Sequence, residues 1–204
     1  NGNTRTLDYV IRRELEITEG DAFLRSEIKN ITKKVQSLGF FEEVSIEKKL
    51  INDNLVDIDI NIKENQTGTF TAGASFGTLD GVTLVTGINE SNIGGTGRAL
   101  ELMINNSENN NEYIFKTTDK FFLNRDMDLS FGLSYKERDY SKSSSYELDK
   151  YQFYTGLSYK FSDNLYHSVS LGYELDDILV TDSSTVSSTI QDVQGGSAKF
   201  VLEN

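Results

Sequence analysis

The stretch Gly73-Ala74-Ser75-Phe76-Gly77 has the G-x-S-x-G spacing of a hydrolase nucleophile elbow, and His167 is the only histidine that could act as its base. An elbow works because a sharp strand-to-helix turn lifts the serine hydroxyl clear of the sheet. These five residues instead fall inside an alternating run with no helical period after them, so Ser75 reads as a strand residue. The glycine-rich run Gly94 to Gly97 could cradle a phosphate if it opened a helix, but it joins two alternating runs and reads as a tight turn. The acidic pairs Asp57 with Asp59 and Asp176 with Asp177 read as solvated alternation rather than metal ligands. His167 is placed on the outer face of its strand near a short turn, where an amphipathic ring suits an interface. Cysteine is absent, which removes thiol catalysis, disulfides and thiolate metal sites. No catalytic residue, metal site or cofactor is expected, and the chain does not read as an enzyme.

The whole composition narrows the classes further. A formal charge of -12 argues against nucleic acid or anionic headgroups as the main partner, since phosphate binding needs clustered Lys and Arg. A hydrophobic content of 37% over 204 residues is low for a large dry core and favours thin, one-sided packing. No run approaches the roughly 18 apolar residues of a spanning helix. Asn1 to Thr6 has no apolar signal core, so an export signal is expected upstream. A membrane role is open only to a barrel.

Two hydrophobic periods divide the chain. Leu7, Val10, Ile11 and Leu15 repeat at three and four residues, as do Leu24, Ile28, Ile31, Val35 and Leu38, with Gly39 placed as a C-terminal cap. These predict two amphipathic helices. The period then becomes two: Phe41, Val44 and Ile46 open a first strand, and Val56, Ile58, Ile60 and Ile62 alternate with Asp57, Asp59, Asn61 and Lys63 in a second. A helix pair on a small sheet follows, ending in the polar, turn-like segment Lys63 to Gly68.

Beyond it, alternation predicts about seven strands of roughly 9 to 13 residues, the length a tilted strand needs to cross a bilayer. The clearest sets Met127, Leu129, Phe131, Leu133 and Tyr135 against Asp128, Ser130, Gly132, Ser134 and Lys136. A soluble sandwich also alternates, but its core favours bulky aliphatic packing on shorter strands. Here the polar face is rich in Gly, Ser and Thr, and aromatics such as Phe70, Phe76, Tyr151, Tyr159 and Phe161 stand at the ends of the apolar bands. Connections are short at Asn92 to Gly97, Lys120 to Arg125 and Ser162 to Asn164, and longer at Asn105 to Asn111 and Arg138 to Glu147. Short inner turns and long outer loops give a membrane barrel that rhythm.

The segments Gly2 to Thr6, Val10-Ile11-Arg12-Arg13-Glu14-Leu15, Glu19-Gly20-Asp21-Ala22-Phe23 and Leu38-Gly39-Phe40-Phe41 resemble the last POTRA domain of the BamA family. Lys63 to Phe70 is similar to that family's junction into barrel strand one. Asn92 to Gly97 and Phe121-Phe122-Leu123-Asn124-Arg125-Asp126 resemble its first two periplasmic turns, and Tyr173 to Asp177 fits the end of strand seven. The chain lacks proline, which the family often places before the junction and in the second turn.

The resemblance implies an α+β POTRA domain over residues 1–65 with its first strand upstream. Residues 66–204 would then be the N-terminal half of a transmembrane β-barrel, an open antiparallel meander whose tail from Ser183 to Asn204 forms an outer loop. It implies an outer-membrane protein assembly factor with its N-terminal domain in the periplasm. Strand one, comprising Thr69, Phe70, Thr71, Ala72, Gly73, Ala74, Ser75 and Phe76, would form the lateral seam where unfolded outer-membrane proteins add a strand. Glu19, Arg12 and Arg13 would dock periplasmic lipoprotein subunits, and outer-membrane lipid would surround the barrel. A translocation-assembly or two-partner secretion transporter of the same superfamily, or a passive pore, are the rival readings; a pore gives no reason for a POTRA signature at strand one.

Overall fold

The computed structural model of the chain describes residues 1–15, 17, 20, 21, 25–52, 55–162, 165–182 and 195–203. The chain divides into two compact units, one of residues 1–68 with 90–98, the other of residues 69–89 with 99–204.

The first unit holds α1 (Asp8–Arg12), α2 (Arg25–Ser37), β1 (Phe41–Asn52) and β2 (Leu55–Glu64). Helical period reaches Leu15, yet α1 stops at Arg12. Arg13 N–H still bonds four residues back to Tyr9, whereas Glu14 and Leu15 bond three back to Ile11 and Arg12, which tightens and ends the turn. Leu15 still packs on the core from beyond the helix. Gly39, at φ 75°, ends α2 as the spacing predicts. The core gathers Val10 and Ile11 of α1, Ile31 and Val35 one helical turn apart on α2, Phe40, Phe41, and Ile62 of β2. Burying each such side chain contributes about 1.5–3 kcal/mol. β1 and β2 pair antiparallel from Phe41 with Glu64 out to Asn52 with Leu55. Past Ile46, β1 is exposed on both faces.

The second unit is one antiparallel sheet of consecutive neighbours, open at both ends. It comprises β3 (Gly68–Gly77), β4 (Gly81–Glu90), β5 (Arg98–Asn106), β6 (Asn110–Asp119), β7 (Met127–Asp139), β8 (Tyr146–Ser162), β9 (Leu165–Val180) and β10 (Gly195–Glu203). The seven expected strands are β3 to β9. The tail from Ser183 is not simply an outer loop: Gly195–Glu203 pairs with β9 as an eighth strand, Phe200 opposite Tyr173 and Leu202 opposite Leu171. Its short alternation begins after two glycines, which disguised it; residues 183–194 lie outside the described residues.

Two connections expected to be long are short. β5 and β6 are joined by residues 107–109, and β7 and β8 by residues 140–145, where Ser141–Ser144 form the single turn α3. The Asn and charged residues read as loop are strand extensions whose side chains bond across the ladder, Asn106 Nδ2 to Asn111 Oδ1 at 2.6 Å and Asn111 Nδ2 to Glu137 Oε2 at 3.0 Å. Hence β8 and β9 reach 17 and 16 residues, longer than crossing a bilayer requires.

Register sorts the side chains into rows. On one face Tyr113, Tyr135 and Tyr151 stand side by side, their ring centroids 6.1 and 4.7 Å apart. Below them Phe115, Phe131 and Phe153 meet edge to face at 6.2 and 5.2 Å, and Met127, Tyr159 and His167 close the far end of the band. One register step beyond the tyrosines on that face, Glu137, Asp149 and Asp177 lie directly opposite one another. The other face is polar: Lys136 pairs with Glu112 at 3.5 Å, and Lys150 with Glu174 at 2.9 Å and Asp176 at 3.3 Å. There the Tyr154 ring lies over Gly132, so closely that any β-carbon on Gly132 would collide with it.

Candidate functional site

Two features carry the functional question, the edge strand β3 and a knot of polar contacts around Glu64 and Asn92. β3 ends the sheet opposite β10, so among the described residues one row of its backbone N–H and C=O groups has no strand beside it. Every residue of β3 is exposed, including Phe70 at 69% and Phe76 at 78%. Between these aromatics stand only Thr71, Ala72, Gly73, Ala74 and Ser75, and nothing lies within 4 Å of the position a Gly73 β-carbon would take. The seam residues Thr69 to Phe76 thus form one continuous strand. Ser75 is inside that strand, not at an elbow, and β4 to β8 lie between it and His167 on β9.

In the first unit the segment Thr4 to Thr6 wraps the Glu64 carboxylate. Oε2 accepts the Thr4 N–H at 3.0 Å, the Thr4 hydroxyl at 2.7 Å and the Arg5 N–H at 2.9 Å; Oε1 accepts the Thr6 N–H at 2.6 Å. Its side chain is 7% exposed. Burial raises its pKa, but the hydrogen bonds from Thr6, Thr4 and Arg5 outweigh this and hold it down at about 2. Arg5 adds a bond from Nη2 to the Asn65 carbonyl at 2.8 Å.

The same segment is fastened to the β4–β5 turn, which belongs to this unit. Asn92 is buried: its Nδ2 donates to Thr6 Oγ1 at 2.9 Å and its Oδ1 accepts the Gly97 N–H at 2.7 Å. The Leu7 N–H donates to the Gly95 carbonyl at 2.9 Å. A β-carbon on Gly95 would collide with the Arg5 carbonyl, and one on Gly97 would stand 2.5 Å from the Arg13 guanidinium and 3.1 Å from Val10 Cγ1.

Of the expected docking residues, Arg12 is exposed and pairs with Asp8 at 2.5 Å, four residues back. Arg13 is 12% exposed, lies 3.5 Å from Glu14 and packs toward Gly97. Glu19 lies outside the described residues. Asp59 pairs with Lys49 and Asp176 with Lys150 across their ladders, so these two carboxylates are ion-paired where solvated alternation was expected. Sequence reasoning missed the roles of Glu64 and Asn92. The signal available was a polar residue just outside each alternating run, a weak one.

Comparison with known proteins places these features. The family model for POTRA, described as surface antigen variable number repeat, matches residues 1–65, and that for the Omp85 superfamily domain matches residues 92–200, more than half of the chain. The chain belongs to the Omp85 superfamily. Among curated Omp85 relatives it is similar to outer membrane protein assembly factor BamA of Neorickettsia risticii, 28% identical over 86% of this chain and 23% of the relative. It also resembles BamA of Neisseria meningitidis, 26% identical over 71% of this chain and 18% of the relative. The chain therefore spans about a quarter or less of the length of these relatives. Among solved Omp85 structures, BamA from Haemophilus ducreyi lacking POTRA domains 1-3 matches 99% of this chain and 41% of its own with a TM-score of 0.76 at 22% identity. CdiB from Acinetobacter baumannii matches 97% of this chain and 39% of its own with a TM-score of 0.61 at 13% identity.

Proposed function

We propose that this chain is the part of an outer-membrane protein assembly factor in which the last periplasmic POTRA domain, about residues 1–65, runs into the first strands of the transmembrane barrel. The observation that carries the reading is the exposed edge strand β3, with one backbone row free and small residues at its centre, in a chain whose curated relatives are assembly factors. A barrel strand entering lipid must have its backbone hydrogen bonds satisfied, so a nascent client needs a template edge. Thr69 to Phe76 supplies that edge once it parts from the barrel's last strand, and the client's final strand adds to it by ladder hydrogen bonds. The small side chains from Ala72 to Ser75 lower the packing lost when the seam opens. Periplasmic lipoprotein subunits dock on the POTRA domain at Glu19 and Arg12, while Arg13, turned toward Gly97, supports the surface from beneath. The transporter reading has the same fold, but the curated relatives named above are assembly factors.

The test is a seam lock. This chain has no cysteine, so one cysteine in β3 and one in the last strand of the full-length barrel can form a disulfide without a competitor from it. Oxidised protein is expected to stay folded and stop inserting clients into liposomes, with activity restored by reduction. Undiminished insertion through a crosslinked seam refutes templating at β3.

A further inference from the structure

The two short turns of the sheet share a backbone over their first four residues but not a composition, and the difference points to a use. In the β4–β5 turn Asn92 sits at φ -141°, ψ 59° and Gly94 at φ 58°, ψ 20°; in the β6–β7 turn Phe121 sits at φ -138°, ψ 49° and Leu123 at φ 56°, ψ 30°. Gly95 and Asn124, next in each turn, are also left-handed, at φ 75° and 56°. The hydrogen bonds match as well: Gly95 to Asn92 and Thr96 to Ile93 in one, Asn124 to Phe121 and Arg125 to Phe122 in the other, all between 3.0 and 3.2 Å. At positions 94 and 95 this backbone therefore accepts residues such as Leu and Asn and does not itself demand glycine, whereas Gly97, at φ 75°, is left-handed where its counterpart Asp126 is not. In the first turn other residues press on the backbone. There the Arg5 carbonyl occupies the space of a Gly95 β-carbon, and Arg13 and Val10 crowd Gly97, whereas a β-carbon on Gly94 would meet nothing within 4 Å.

We propose that the turn from Asn92 to Gly97 is a clamp, stripped of a side chain at 95 so that the segment from Arg5 to Leu7 can grip it backbone to backbone, with the Val10 and Arg13 side chains packed against Gly97. Glu90 ends β4 and Arg98 begins β5, so the clamp adds the β4–β5 hairpin to the direct chain connection, residues 65–67, by which the POTRA segment runs into β3. Two bonds of Asn92, one to Thr6 and one from Gly97, and the Leu7 to Gly95 bond close it. Resting on the assembly-factor reading, the consequence is that POTRA movements act on the second and third strands as well as on β3, through the clamp and the chain connection respectively.

The test compares Gly95→Asn with Gly94→Asn in the full-length protein. Both positions are left-handed and asparagine tolerates that backbone, as Asn124 shows, so the variants differ only in whether the added side chain meets Arg5. Hydrogen exchange of the Leu7 and Gly97 amides is expected to quicken about tenfold or more in Gly95→Asn, the effect of losing one or two buried hydrogen bonds, and to stay unchanged in Gly94→Asn. Equal responses of the two variants, or no response in either, overturn the clamp. Should Gly95→Asn also expose the β1–β2 amides, Thr6→Val decides: it leaves the turn's own sequence intact and removes the acceptor of Asn92 together with the Thr6 side chain's bond to Glu64, and unchanged exchange at Leu7 and Gly97 overturns the proposal. Client insertion in the same samples should fall several-fold in Gly95→Asn while β7–β9 amides keep their protection. Full insertion with a released clamp overturns the coupling. Failure of the unmodified protein to insert clients refutes the assembly-factor reading instead, and exchange still judges the clamp.

Discussion

Replacing Glu64 by glutamine removes one of the two oxygens that hold the N-terminal segment. Exchanging Oε1 for the amide strands the Thr6 N–H, exchanging Oε2 strands the Thr4 N–H and its hydroxyl, and the Arg5 N–H, shared between both oxygens, keeps one partner either way. The scale follows from ionisation. A fall from 4.5 to about 2 in a side chain only 7% exposed corresponds to ~3 kcal/mol of preference for the ionised, bound form. Because the bound-state pKa is the lower one, this stabilisation is complete above the free value of 4.5 and fades as pH falls toward 2; about 2 kcal/mol of it is gone by pH 3. Amide exchange of Thr4, Arg5 and Thr6, corrected for the intrinsic pH dependence, reads this opening directly. In the native protein their protection should drop roughly thirtyfold between pH 7 and pH 3. In Glu64→Gln it should be lower by roughly a hundredfold at pH 7 and nearly flat with pH. Native-like protection in the glutamine variant, or a native profile with no fall between pH 7 and pH 3, refutes the role assigned to this carboxylate.

Gly132→Ala sets a β-carbon against the Tyr154 ring and should destabilise the barrel by about 1–3 kcal/mol, measured by urea unfolding in detergent micelles, with Tyr154→Leu restoring part of the loss. Leu133→Arg puts a charge between Phe115 and Phe153 in the middle of the apolar band; in lipid it should cost about 2–4 kcal/mol, whereas little change in unfolding midpoint counts against a lipid-facing surface there.

Where one face of an element is apolar and the other polar, the sequence displayed the fold. Met127 to Tyr135 and Val56 to Lys63 each announced a strand and its apolar side, because a period of two survives any later packing. α2 and its Gly39 cap were legible for the same reason. α1 was overextended, since Leu15 keeps the helical spacing yet reaches the core from a tightened turn. Strand length was underestimated in β7 and β8: beyond the apolar band, Lys136 to Asp139 carry no hydrophobic signal, and cross-strand pairing of polar residues is invisible until register is known. The candidate site divides likewise. β3 was readable as a continuous run. The Glu64 cradle was not, because it joins residues some sixty positions apart, and nothing in the string Gly94-Gly95 distinguishes the glycine that is crowded from the one that is not.

The row of Glu137, Asp149 and Asp177 beside the stacked tyrosines sets a waterline. Three carboxylates directly opposite one another repel, and only bulk water and its ions screen that repulsion cheaply. Tyr135 marks the other side of the line, its ring stacked with Tyr113 and Tyr151 while its hydroxyl donates to Asp149 Oδ1 at 3.1 Å. Since the three strands share one hydrogen-bonded register, none can be drawn inward alone. On the proposed reading, a shift of two residues toward the periplasm would drag all three charges past the tyrosines together, at a cost that is small for carboxylates near the interface and rises toward the bilayer midplane. On that reading the wall moves in height only as a block, which leaves an edge strand at its end to part sideways without the rest of the sheet sinking.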